Sequence, residues 1–378
     1  MNLSQNDAEW ASGVIEKIIE KMKPVALRTG NKIPYTTVNG VFDDRSGDED
    51  IPWWTNGFWG GIMWQLFSVT GDYLYQNTAI ELEEKLDRVL MNCNGLDHDN
   101  GFKWLPTAVA HYSLDQNPQS YNRAILAAEN LAGRFNLAGN FIRAWNDWGD
   151  EDHRGWAIID CMMNLPLLYW ASARTGDPRF QQIAEAHAKQ AQKYFIREDG
   201  SVNHIVEFNP FTGEMVKSHG GQGYGTGSSW TRGQSWGLYG FTLSYIHTGN
   251  NNFLNAASKI ADYFISNIPE NGLIPVDFRQ PVACTWEDSS AAAIAASGLI
   301  ELSRYTKEQD SEKYLNAALL LLKALDQNRC NWKKEEDYIL EKCTAAYHDK
   351  EHEFSIIYGD YYFIEAVLKL ADKGIFIW

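Results

Sequence analysis

Five times along this chain a helical stretch ends in a short polar connector, and the next helix opens with an aromatic residue followed one turn later by a small or aliphatic one. The pairs are Tyr75 and Ala79, Tyr121 and Ile125, Phe180 and Ala184, Phe253 and Ala257, and Tyr314 and Ala318. The connectors are Thr70-Gly71-Asp72, Asp115-Gln116-Asn117, Thr175-Gly176-Asp177, Thr248-Gly249-Asn250 and the stretch 306–310. Gly, where present, stops one helix, and Asp or Asn offers the N-cap oxygen of the next. Such repetition restricts the chain to stacked helical hairpins. The aromatic markers lie 46 to 73 residues apart, too uneven for an open solenoid of identical units and suited to a closed ring with unequal loops on one rim.

Twelve helices are predicted, starting near Asn6, Thr55, Asp72, Trp104, Pro118, Gly155, Pro178, Ser229, Asn250, Asp288, Asp310 and Gly359. The first runs to Lys23, where Pro24 is expected to stop it. Helices after the connectors are rich in Glu, Lys, Gln and Ala with one apolar stripe, as an outer layer requires; their alternates are apolar nearly all round, as an inner layer requires. Six inner and six outer helices make an all-α fold, an (α/α)6 barrel. The loops entering the inner helices then share one rim, where helix N-termini favour anionic ligands.

With 378 residues, 44% of them hydrophobic, and no linker-like break, the chain reads as a single domain spanning 1–378. A net charge of −16 argues against a nucleic-acid or long-polyanion binder, since that affinity needs a basic surface. Residues 1–7 are polar, and no apolar run reaches the ~18 residues of a membrane span; a cytoplasmic protein that does not engage membranes is expected. Five cysteines without a CxxC spacing argue against a zinc ribbon or disulfide framework and for reduced core thiols. The acidic run 43–50 lacks the Gly and closing Glu of a calcium loop and reads as solvated. Fifteen Trp and 18 Tyr exceed what a helical core requires; Trp53, Trp54, Trp145 and Trp148, in loops, are candidate platforms for sugar rings.

Asp160 is the most informative polar residue, because it interrupts the apolar run 156–165 and a buried carboxylate without a partner is costly. It either caps a neighbouring loop or is held at a raised pKa for acid–base work, and the run favours the second. Asp99, in a Gly-bounded loop on the same rim, supplies a second carboxylate; two in one pocket drive one pKa upward. Arg232 is placed either to grip a substrate carboxylate or to pair with an inner-barrel Asp. His98, His204 and His219 are too scattered for a metal site, residues 348–352 read as a charged surface loop, and no phosphate loop or Ser nucleophile elbow is present.

Taken together, WTNGFWGG (54–61), LDHDNGF (96–102), IRAW (142–145), IIDCMMNLPLL (158–168), SSWTRGQSWGLYGF (228–241), DSSAAAI (288–294) and YGDYYFIEA (358–366) resemble the unsaturated glucuronyl hydrolases, glycoside hydrolase family 88. The resemblance implies an (α/α)6 barrel. It makes Asp160 the general acid/base and Asp99 the second essential carboxylate, and it places Trp54, His98, Trp145, His204, Gln222, Ser228, Arg232, Trp236 and Tyr347 around the substrate. It implies no cofactor and no metal, a monomer or homodimer, and as substrate a small oligosaccharide ending in a 4-deoxy-4-ene uronic acid, whose C4=C5 vinyl ether is hydrated rather than the glycosidic bond being cut directly. Asn56 and Arg143 depart from the family's usual acidic residue and Gln, and His348-Asp349-Lys350 stands where some members carry a motif for sulfated sugars. The alternatives are a sister-family unsaturated rhamnogalacturonyl hydrolase, a sugar epimerase, and a noncatalytic carbohydrate-binding protein.

Overall fold

The computed structural model describes residues 3–93 and 95–378; Met1 and Asn2, which begin the polar N-terminal segment, and Asn94 lie outside the described residues. The connectors act as the sequence predicts. Gly71, Gly176 and Gly249 end their helices at φ of 66°, 74° and 67°, and Asp72, Asn117, Asp177 and Asn250 each accept a hydrogen bond from a backbone N–H two residues on. Gln116 takes the same left-handed conformation, φ 61°, without being glycine.

The inner helical segments are Phe58–Thr70, the run of Asn100–Trp104, Leu105–Val109 and Ala110–Asp115, then Leu165–Thr175, Thr231–Thr248, Ser289–Ser303 and Ile357–Leu370. Every residue of Ser289–Ser303 and Ile357–Leu370 is buried. Each segment contacts the next, and Ile357–Leu370 packs back against Phe58–Thr70, so the ring closes. Gln5–Thr29, Tyr73–Lys85, Pro118–Gly133, Pro178–Tyr194, Asn251–Ser266 and Glu308–Asn328 form the outer layer, each burying one stripe. This is the (α/α)6 barrel of the sequence analysis. No helix among the described residues is long and apolar enough to cross a membrane.

Several expectations are corrected. Pro24 does not stop the first helix, which continues to Thr29. Val25, Ala26 and Thr29 are buried beyond it, and that packing outweighs the ~3 kcal/mol a mid-helix proline costs. The helix placed near Trp104 starts at Asn100 and passes through a π-helical turn, Leu105–Val109. Pro106 lacks the donor for a regular turn there, and Thr107 Oγ1 caps the Lys103 carbonyl at 2.6 Å. Residues 156–163 are not helical in the α sense: Trp156–Ile158 is a strand and Ile159–Met163 a 3₁₀ turn. That strand pairs with Ile205–Phe208, which pairs with Met215–His219, an antiparallel sheet the sequence reading lacked. The acidic run is only partly solvated, since Asp43 accepts from Tyr35 and Thr36 N–H and Asp44 from Ile33 N–H. Cys161 and Cys343 are buried core thiols, whereas Cys93 is exposed; all five cysteines are free.

An aromatic column fills the barrel axis. Trp54 meets Phe102 at 5.3 Å, Phe102 meets Trp236 at 5.1 Å, Trp236 meets Tyr362 at 5.4 Å, and Tyr362 stacks on Trp378 at 5.8 Å and 13°. Below it Glu365 accepts from Tyr239 (2.9 Å), Ser297 (2.8 Å), Lys369 (3.0 Å), Tyr361 (3.0 Å) and the Trp378 indole N–H (2.5 Å). Trp378, 2% exposed, thus plugs the floor of the barrel. Trp378→Ala removes a buried indole and one of these donors, and is expected to lower unfolding free energy by about 3–5 kcal/mol. Urea denaturation followed by circular dichroism checks this; an unchanged midpoint would show that the floor carries no stability.

Candidate active site

Asp160 reaches the rim on the 3₁₀ turn that joins the Trp156–Ile158 strand to the Leu165–Thr175 helix. Pro166 in the first turn of that helix gives up no needed donor, because the first N–H groups of a helix are free in any case. The Asp160 side chain is mostly buried, and its Oδ2 has no hydrogen-bond partner. His204 Nε2 faces it at 3.5 Å. The Gln222 backbone N–H donates to His204 Nδ1 at 3.0 Å, so in the neutral ring the proton resides on Nε2, toward Asp160. Gly221 makes this approach feasible: its φ is +56°, and a Cβ would stand 1.9 Å from His204 Nδ1.

Asp99 is buried at the entrance of the Asn100–Trp104 helix, its N–H held by Asp97 Oδ1 at 2.9 Å. Asn164 ties it to Asp160. The Asn164 amide donates to Asp99 Oδ1 (3.2 Å) and to the Asp160 carbonyl (3.3 Å), and its oxygen accepts from Phe102 N–H (2.8 Å). Gly101 permits the contact, since a Cβ there would lie 2.5 Å from Asn164 Cα. Burial, together with the Asp97 and Asp160 charges, pushes the Asp99 carboxyl well above the usual range. His98 Nε2 lies 3.4 Å from Asp99 Oδ2, and burial pushes His98 down to about 4, so that imidazole is neutral near pH 7. Two His–Asp pairs therefore face each other near the rim at 3.4 and 3.5 Å, long for a full hydrogen bond.

Around these pairs, Trp54 leans on Tyr358 at 4.9 Å and Trp145 lies 5.2 Å from Trp148. Gln222 donates to the Ala345 carbonyl at 2.9 Å and accepts from Tyr347 N–H at 2.8 Å, joining two rim loops. Ser228 Oγ accepts from Gly225 N–H at 3.1 Å and shapes the same loop. Tyr347 packs edge-on to Tyr224 and Trp286, and His352 stacks on Trp286 at 3.7 Å; the segment read as a charged surface loop is thus partly a wall of the rim.

Two residues are placed differently from the sequence reading. Arg232 is buried and directed inward: it donates to Asp288 at 2.7 Å, to the Thr344 carbonyl at 2.5 Å and to the Ala345 carbonyl, with its face on Trp230 at 4.5 Å. Its pairing with an inner-barrel Asp is the alternative the structure adopts. Trp236 is 0% exposed and supports the floor beneath Phe102. Asn164 was missed, although it sits one turn beyond Asp160 in the same apolar run; Lys103 carried the same signal, a charge among Phe102, Trp104 and Leu105. Among the described residues no group of three or more His, Cys, Asp and Glu is arranged to hold a metal ion.

The model of Glycosyl Hydrolase Family 88 matches residues 31–378 of the chain. The unsaturated glucuronyl hydrolase of Bacillus sp. (strain GL1) is 36% identical over 335 residues, 85% of this chain and 87% of that protein. The unsaturated chondroitin disaccharide hydrolase of Streptococcus pneumoniae (strain ATCC BAA-255 / R6) is 32% identical over 344 residues, 89% of this chain and 87% of that one. A solved mutant of the unsaturated glucuronyl hydrolase of Streptococcus agalactiae, complexed with dGlcA-GalNAc6S, superposes with a TM-score of 0.84 at 28% identity, covering 100% of this chain and 95% of that chain.

Arg232→Met leaves Asp288 charged and unpaired in a closed interior, so a loss of about 3–5 kcal/mol is expected. Thermal melting of the purified variant is the check, and a melting temperature equal to that of the unsubstituted protein would show that the guanidinium does not hold the rim together.

Proposed function

The chain belongs to glycoside hydrolase family 88, and we infer that it removes the unsaturated, 4-deoxy-4-ene uronic acid from the non-reducing end of short oligosaccharides left by polysaccharide lyases. One arrangement carries the assignment of roles: the free Asp160 Oδ2 opposite His204, linked through Asn164 to a buried Asp99.

The substrate's C4=C5 bond is a vinyl ether conjugated to the carboxylate, so its reactive event is hydration. Asp160 in its acid form delivers a proton to C4; positive charge develops at C5, where the ring oxygen supports it. The resulting Asp160 carboxylate takes a proton from water as the water oxygen bonds to C5. The hemiketal opens, the C1 hemiacetal collapses, and the aglycone leaves with a keto acid as the other product. Addition of water across C4=C5 is followed by two eliminations, of the ring oxygen from C5 and of the aglycone from C1, each accompanied by proton transfer that the carboxyls described can serve. Asp99, whose carboxyl burial pushes well above the usual range, is placed to hydrogen-bond a sugar hydroxyl, while His98 and His204 accept or donate beside the two carboxyls. Trp54, Trp145 and Tyr347 offer ring faces and edges to the sugars, Gln222 and Ser228 fix the loop above His204, and Arg232 and Trp236 support the pocket from behind.

The same reading takes residues 1–378 as one catalytic domain, supported by the closure of first inner helix on last. It places the protein in the cytoplasm, in keeping with five free thiols, as a monomer or homodimer that engages neither nucleic acid nor membrane.

Asp160→Asn is expected to retain the fold and lose on the order of 10²–10⁴ in turnover. Asp99→Asn should be similarly impaired and the double variant far from additive, because two carboxyls that act on one substrate and shift each other's protonation behave as a unit. Near-normal turnover of Asp160→Asn, or additive losses, would end the assignment. The substrate is tested by incubating the enzyme with an unsaturated uronyl disaccharide and following loss of the conjugated C=C absorbance. That absorbance should disappear, whereas the saturated disaccharide and the intact polysaccharide should yield no product; release of sugar from either would refute an exo-acting hydration.

A further inference from the structure

Lys103 sits in the Asn100–Trp104 helix one turn beyond Asp99, with its side chain 0% exposed, and neither the fold nor the chemistry above uses its charge. Its Nζ donates to the Pro52 carbonyl at 3.1 Å and stands 3.6 Å from Asp97 Oδ1. This is a sparse shell for three N–H groups, and a charge is not left in a protein interior without a compensating interaction. The Asp97 oxygen nearest Lys103 is the one that holds the Asp99 N–H at 2.9 Å. Ammonium, carboxylate and the backbone of the second candidate carboxyl therefore form one short relay.

We propose that Lys103 is a positioning residue for the carboxyl pair: acting through Asp97 it fixes the backbone at Asp99, and its charge sets the pH at which Asp99 gives up its proton. The proposal rests on the reading that Asp99 takes part in turnover. The groups facing Asp99 come from four directions. Its own loop brings Asp97 and His98, its own helix Lys103, the 159–164 segment Asp160, Cys161 and Asn164, and the end of the Pro118–Gly133 helix Arg134. Burial and the Asp97 and Asp160 charges drive the Asp99 proton on; Lys103 and the Asn164 amide work against them. His98 is neutral, and Arg134 directs its N–H groups to the Leu96, Arg143 and Ala144 carbonyls and to Asn146. Lys103 is thus the cation placed on the carboxyl side of the loop to balance Asp97. Without it, two anions and a buried acid face one another.

The sign follows directly. Removing the cation raises the Asp99 pKa, so the neutral form that donates to substrate persists to higher pH and the alkaline limb of kcat/KM moves up. Removing the Asp97 charge lowers that pKa and moves the limb down. The experiment is the pH dependence of kcat/KM on an unsaturated uronyl disaccharide for the full chain and for Lys103→Met, Asp97→Asn and Lys103→Arg. Lys103→Met is expected to shift the limb upward by about one pH unit and Asp97→Asn, which keeps an oxygen for the Asp99 N–H, downward by about as much. Lys103→Arg, retaining the charge, should stay close to the unsubstituted enzyme. Limbs that coincide with the unsubstituted enzyme, or that move in the same direction in both variants, overturn the proposal, even if kcat falls. Should Lys103→Met not fold, an unshifted limb in Asp97→Asn suffices to overturn it. Asp99→Asn separates the two readings: retained turnover removes Asp99 from the mechanism, whereas an inactive Asp99→Asn beside unshifted limbs removes only the role of Lys103.

Discussion

An inner helix buried on every side has no water at its first turn, and the rim of this barrel is organised by that constraint. The free N–H groups of such helices, and the loop backbone that covers them, must find partners inside the protein. Here one polar side chain near the start of five of the six inner segments does so, and in the sixth Asn100 ties the segment to the neighbouring outer helix. Asn56 donates to the Asp50 and Ile51 carbonyls, Asn100 to Asn130, and Asn164 to Asp99 while accepting from Phe102 N–H. Gln234 joins Val202 N–H to the Gly200 carbonyl, Asp288 accepts from Ser290 and Thr344 N–H, and Asp360 from Ile339 and Leu340 N–H. The rim loops are therefore bonded to the buried inner layer of the molecule. Asn164 shows the consequence, for the same amide that secures the Phe102 backbone also holds the two carboxyl-bearing segments in register.

The buried polar residues are of two kinds, distinguished by how completely they are satisfied. Asp288 and Glu365 receive several donors each and are consumed by structure. Asp160 Oδ2 and His204 Nε2 are buried, close to one another, and without partners. Unsatisfied polar atoms in a low-dielectric site are strongly reactive toward any group that completes them, which is the electrostatic preorganisation that an active site needs. Asp99, raised by burial and neighbouring charge, stands between the two kinds, since Asn164 already donates to one of its oxygens; at Asp360, which burial pushes up to about 7 against two backbone N–H bonds, the raised carboxyl accompanies a structural task. A perturbed carboxyl alone thus does not mark the chemistry; hydroxyls, indoles and imidazoles elsewhere also lack partners, but among the described residues Asp160 Oδ2 is the one carboxylate oxygen buried in that state.

Much of this was legible in the sequence. The helix count, the connectors and the alternation of inner and outer layers follow from 3.6-residue periodicity and from where Gly, Asp and Asn fall. The choice of Asp160 as a candidate rested on a charge in an apolar run, and that of Asp99 on the rim assignment together with the family resemblance. What escaped had physical reasons. The strands are two to five residues long and carry no period of their own. The helix through Pro24 is sustained by tertiary packing that a local rule does not register. Arg232 beside two Trp residues fits either a ligand or a buried partner, and only the position of Asp288, 56 residues away, decides between them. Asn164 was uninformative by residue type, since its task depends on the close approach of Gly101.

The plugged floor also governs traffic. With Trp378 stacked on Tyr362 and the aromatic column filling the axis, the barrel is a cul-de-sac: whatever enters at the rim must leave by the same mouth. A dead-ended barrel of this kind receives the end of a chain and not its middle, in keeping with removal of a terminal sugar.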